Sequence, residues 1–188
     1  MADFFSTTQT GTLDLQFAAV MPALSDVAGI AQTALDNALD FCAQKMRLPG
    51  PHAVADHLRQ GDHRAVGYCQ YGLARQVAEY LAAMDQEISA VYMYDYDATP
   101  EDVCFAEGTP APLVHLIARV GRKTSGLNSL VAGLDRALTQ GYAELIGRPD
   151  LAHVLDVQVV DETDVLNRTG YGALLSSLHM QPMQIWKR

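Results

Sequence analysis

Two acidic residues stand two apart in Asp95-Tyr-Asp97-Ala-Thr99, directly after Ile88-Ser-Ala-Val-Tyr-Met-Tyr94. In an extended chain, residues i and i+2 point to the same face, so these carboxylates can reach one cation from the same side. Magnesium suits such a pair, because it commonly takes one or two carboxylates and completes its shell with water or a substrate phosphate. A phosphate would need positive charge. The densest basic cluster is Arg119, Arg122 and Lys123, and it runs into Thr124 and Ser125 at an expected helix start. Unpaired N–H groups at a helix N-terminus favour anions, so these five residues form a candidate site for a small anionic ligand. The cluster is not a P-loop, which would join glycine directly to lysine and carry another glycine where Leu116 stands.

Asp95-x-Asp97-x-Thr99 resembles the nucleophile motif of the haloacid dehalogenase phosphatases. The resemblance implies that Asp95 attacks phosphorus, that Asp97 serves as acid and base, and that magnesium screens the charges. Thr124, Lys123 and the acids Asp161, Glu162 and Asp164 would stand for that family's later motifs. The order departs from the family, since Lys123 precedes its helix instead of lying between the helix and the acids. Roughly ninety residues follow Asp95, fewer than the family's core sheet needs. The likeness covers five residues.

A third group is His52, Asp56, His57, Asp62 and His63. His52 and Asp56 lie one helical turn apart, but His57 points about a hundred degrees away from Asp56. No glutamate beside a histidine pair spaced i, i+4 makes a metalloprotease motif. Polar surface histidines are the expectation. His115 and His179 stand in apolar runs and read as satisfied core groups. Cys42, Cys69 and Cys104 are odd in number and irregularly spaced, unlike a zinc site or a disulfide framework. Reduced, buried thiols in a cytoplasmic protein are expected.

The elements that must position these groups follow from periodicity. Tyr92, Tyr94 and Tyr96 alternate with Val91, Met93, Asp95 and Asp97, which reads as a strand over 88–97 with one tyrosine-lined face. Ahead of it come three helices. The first runs from an N-cap at Ser25 to about Arg47 and is stopped by Leu48-Pro-Gly-Pro51. The second, short, spans 52–60 with Gly61 at its end, and the third is capped by Asp62 and runs to Met84. After a loop over 98–112, Leu113–Val120 is a second strand. The helix after it carries Leu127, Leu130, Val131, Leu134, Leu138, Tyr142 and Leu145 on one face. Asn128, Asp135, Arg136, Gln140 and Glu144 lie opposite, so solvent is the expected surrounding of Asp135. Gly147 and Pro149 end that helix. His153–Val160 is a third strand, 161–168 and 173–179 are short helices, and Met183–Lys187 is an edge strand.

Strands joined through a helix run parallel, and strands joined by a short loop run antiparallel. The expectation is an α+β chain with a mixed sheet of three to four strands packed with helices, a rearranged ferredoxin-like sandwich. It forms a single composite domain over 1–188, with an N-terminal segment (1–24), a helical part (25–86) and an α/β part (87–188). In that sheet His115 and Arg119 with Asp156 and Gln158 can join the tyrosine face.

A formal net charge of −9 argues against nucleic acid and anionic membrane surfaces as partners. No run approaches the ~18 apolar residues of a membrane span, and the N-terminus has no signal-peptide pattern. The expectation is a non-catalytic, cytoplasmic, homo-oligomeric module for interaction, assembly or small-ligand sensing. It needs no cofactor, and Tyr92, Tyr94 and Tyr96 are its candidate interface, on a face that could also lie under the N-terminal helices or bind a ligand. The alternative is a magnesium-dependent enzyme acting on a phosphorylated small molecule, with Asp95 and Asp97 on the metal.

Overall fold

The computed structural model describes residues 24–94, 114–179 and 181–188. Asp95, Tyr96, Asp97, Thr99 and Cys104 lie outside the described residues.

Three helices come first, α1 (Leu24–Met46), α2 (Pro51–Arg59) and α3 (His63–Met84). Ser25 is helical rather than the cap of α1. Pro51 opens α2, where a missing N–H costs nothing, and Gly61 follows it with a left-handed φ of 72°. Asp62 caps α3 by accepting from the amides of Arg64 and Ala65. Strand β1 (Ile88–Met93) follows, then β2 (Val114–Val120), α4 (Ser125–Ile146) and β3 (Leu155–Val160). The chain closes with α5 (Glu162–Asn167), α6 (Gly172–Leu175) and β4 (Met183–Lys187). The helix expected over 173–179 stops at Leu175.

The four strands form one mixed sheet in the order β3-β2-β1-β4. β1 is antiparallel to β2 and β4, while β2 and β3 are parallel neighbours joined through α4. This is the expected α+β arrangement, with four strands among the described residues. Helices α3 and α4 pack on one face of the sheet, and α1 lies across both of them as an outer layer. Glycine permits that approach. A Cβ on Gly72 would sit 3.1 Å from the Cα of Ala38, and one on Gly141 would sit 2.7 Å from Leu35 Cδ1.

Val91 and Met93 of β1, Val114, Leu116 and Val120 of β2, and Leu155 of β3 join the helical core. Opposite them in α4 are the buried Leu127, Leu130, Leu134, Leu138, Tyr142 and Ile146. Thr124 caps α4, and Gly147, in the left-handed region, closes it. Among the described residues no helix is long and apolar enough to cross a membrane.

One expectation fails inside α4. Asp135 does not face solvent. Its Oδ1 accepts from the amides of Val154 (3.1 Å) and Leu155 (2.9 Å), and its Oδ2 lies 2.8 Å from His153 Nδ1. Its side chain is only 15% exposed. A helical wheel put it on the polar face, but the chain returning into β3 runs over that position and needs an acceptor for its first amides.

Candidate functional site

On the second face of the sheet, the register sets His115, Arg119, Asp156 and Gln158, whose place the sequence left to the register, beside Tyr92. His115 is the direct neighbour of Asp156, and Ile117 of Gln158, across the parallel β2–β3 pair. On the other side Tyr92 opposes Ile117 and Ala90 opposes Arg119. The amide of Tyr94 donates to the carbonyl of His115 at 3.1 Å, which carries the ladder one residue past β1.

Asp156 is the hub of this face. Tyr94 Oη donates to its Oδ2 at 3.0 Å, His115 Nδ1 lies 3.3 Å from the same oxygen, and Gln158 Nε2 donates to Oδ1 at 2.7 Å. The Tyr94 ring lies 5.2 Å from the His115 ring and 5.3 Å from that of Tyr171, which reaches over from the start of α6. Burial holds the Tyr94 phenol well above its ordinary range, and its hydrogen bonds with Tyr171 and Asp156 add to that. The hydroxyl therefore stays protonated and serves as a donor. Tyr92, Tyr94, His115, Arg119, Asp156 and Gln158 are all half-buried, around an Ile117 that is fully buried.

Two members of the basic cluster stand in ion pairs. Arg119 pairs with Glu162 at 3.2 Å, and Lys123 pairs with Asp164. The Asp164 contact raises the Lys123 ammonium and, in turn, lowers the Asp164 carboxyl. Asp164 is held by a capping box with Asp161 at the start of α5, which fixes the acid that Lys123 meets. Thr124 Oγ1 accepts from the Leu127 amide and donates to Asp85 Oδ2 at 3.4 Å. Arg122 is exposed, and Ser125 opens α4. The acids of the Asp95 motif, and Tyr96 of the tyrosine face, cannot be set beside these groups because they lie outside the described residues.

The histidine group near α2 is divided among local contacts. His57 Nδ1 lies 2.8 Å from Asp62 Oδ2, and Asp56 pairs with Arg59 at 2.8 Å. Among the described residues, no three His, Cys, Asp or Glu side chains converge as metal ligands. His179 is exposed rather than a core group, whereas His115 is half-buried. Cys42 and Cys69 are buried and free; burial raises their thiols to about 11 and about 12, so both are protonated and inert at neutral pH.

A groove of about 620 Å³ was missed in the sequence. It runs between α1 and the first half of α3, and Phe41, Lys45, Arg64, Tyr68, Tyr71 and Arg75 are among its lining. The signal was present: Arg64, Tyr68, Tyr71 and Arg75 are spaced 4, 3 and 4 along one helix face, and Phe41 and Lys45 are spaced 4.

No family model, no curated protein and no solved structure matches the chain.

Proposed function

We propose that the chain is a non-catalytic, self-associating module, and that two copies pair through the second face of the sheet. The observation that carries this reading is the single-face gathering of Tyr92, Tyr94, His115, Arg119, Asp156 and Gln158. Tyrosine and arginine are enriched at the centres of interfaces, because they cover much area and keep a polar tip that can be satisfied. Asp156, already fixed by Tyr94 and Gln158, presents an ordered polar centre rather than a mobile charge. The buried, unbridged Cys42 and Cys69 support a reducing, cytoplasmic setting.

Sedimentation equilibrium tests the pairing. Across about 1 to 100 μM the expected mass is twice the 20.4 kDa of one chain. Tyr92→Glu, at a half-exposed position, should return the monomer with its circular dichroism unchanged, since a two-fold axis sets the new charges near one another. A monomer at every concentration in the unaltered protein overturns the reading.

The alternative, a magnesium-dependent phosphatase-like enzyme, needs Lys123 free to take a phosphate, and Lys123 already holds Asp164. Magnesium is expected to give no specific rise in melting temperature. A saturable, magnesium-specific rise that disappears in Asp95→Asn would promote the enzyme over the module.

A further inference from the structure

We propose that the groove between α1 and the first half of α3 binds a small aromatic anion, a flat ring system carrying a carboxylate or similar charge. The groove lies on the helical side of the sheet, because Met93, whose side chain joins the helical core, lines it together with Met183. It is therefore separate from the surface proposed for self-association, and the two readings fail independently.

Its chemistry is unlike that of the chain as a whole. The protein has 22 acidic and 13 basic residues, yet among the described residues the groove is lined by Lys45, Arg64 and Arg75 and by no carboxylate. Between the cations stand three rings. Phe41 meets Tyr68 edge-on, with centroids 6.5 Å apart and planes at 77°, and meets Tyr71 at 5.7 Å. Lys45 Nζ lies 5.4 Å from the centre of the Phe41 ring. Arg75 shares its charge with Glu79 at 3.3 Å; among the described residues Lys45 and Arg64 stand in no ion pair. Aromatic walls with polarizable methionine sulfurs suit a flat apolar body, and cations at the rim suit a negative group at its edge. The volume falls within the roughly 300–1,000 Å³ of small-ligand sites.

Gly67, exposed on α3, is part of the lining. It sits inside α3, where glycine costs helix stability, and a Cβ built on it would meet nothing within 4 Å. Gly72, five residues on, is needed for the contact with α1, whereas Gly67 has no such neighbour and a side chain there would stand beside the groove.

Isothermal titration of the full chain tests the site, with 2-naphthoate as the aromatic anion, 2-naphthamide as its neutral counterpart and decanoate as an aliphatic anion. The expected result is one saturable site for 2-naphthoate, with both other compounds at least about tenfold weaker. Gly67→Leu, which adds bulk beside the groove, and the double change Lys45→Gln with Arg64→Gln, which removes its two cations outside ion pairs among the described residues, should each weaken 2-naphthoate by about tenfold or more. Both variants should keep the parent's circular dichroism. No saturable binding up to about 10 mM, equal binding of the amide or of decanoate, or unchanged binding in folded Gly67→Leu and in the charge variant would each overturn the proposal.

Discussion

Tyr94 and Asp156 are 62 residues apart in the chain, and the phenol of one donates to the carboxylate of the other at 3.0 Å. The bond reaches from the end of β1 over His115 of β2 to β3, so it ties three strands together on the face that carries the candidate interface.

Removing that donor should be felt in the fold. Tyr94→Phe keeps the ring against His115 and Tyr171 but leaves Asp156 with one donor fewer. A bond to a charged acceptor at a half-buried site contributes on the order of 1–2 kcal/mol, so urea denaturation should show a loss of that size. A double-mutant cycle with Asp156→Asn should give a coupling of about 1 kcal/mol, and additive effects would mean that the contact carries no energy.

Leu134 and its neighbour Asp135 are expected to be comparably costly to remove, for different reasons. Leu134 is 1% exposed, and Leu134→Ala should cost about 2–5 kcal/mol through lost burial and a cavity. Asp135→Ala takes the acceptor from two amides at the start of β3, and should cost about 2–4 kcal/mol. A change under about 0.5 kcal/mol for Asp135→Ala, as at an ordinary surface site, would show that β3 does not depend on it.

Tyr142 presents the opposite case. It is fully buried, and its hydroxyl has no hydrogen-bond partner among the described residues. Burying an unpaired hydroxyl costs roughly 1–3 kcal/mol, so Tyr142→Phe should leave stability unchanged or raise it by about 1 kcal/mol. Thermal melting of the variant checks this, and a fall in melting temperature would mean that the hydroxyl is satisfied in solution.

The buried thiols set an alkaline limit on stability. In the folded chain burial raises Cys42 from 9.0 to about 11 and Cys69 from 9.0 to about 12. A group whose folded value lies above its unfolded value contributes its stability in full below the unfolded value. That contribution is lost as pH climbs through the interval, here from about 9 towards 12. Denaturation midpoints should hold between pH 7 and 8.5 and fall above pH 9, and replacing both cysteines by alanine should flatten the fall. A thiol reagent at pH 8 should find at most one reactive cysteine per native chain, Cys104, and three after unfolding.

The sequence by itself determined most of the elements and the apolar face of α4. Pro51, Asp62, Thr124 and Gly147 mark helix ends through chemistry confined to a few neighbouring residues, and alternation marks strands for the same local reason. Even the parallel pairing of β2 with β3 followed from the helix between them. Tertiary structure alone decided which charged groups meet. Lys123 could be read as an anion ligand until α5 folded back and set Asp164 against it. Asp135 had a polar position on the helical wheel, but the chain crosses there into β3. The groove at Gly67 needs α1 and α3 side by side, although each helix shows its half of the lining in its own spacing. Backbone preference acts over a few residues and can be read along the chain, whereas ion pairs and cavities depend on distances of a few ångströms between residues that the sequence separates by dozens.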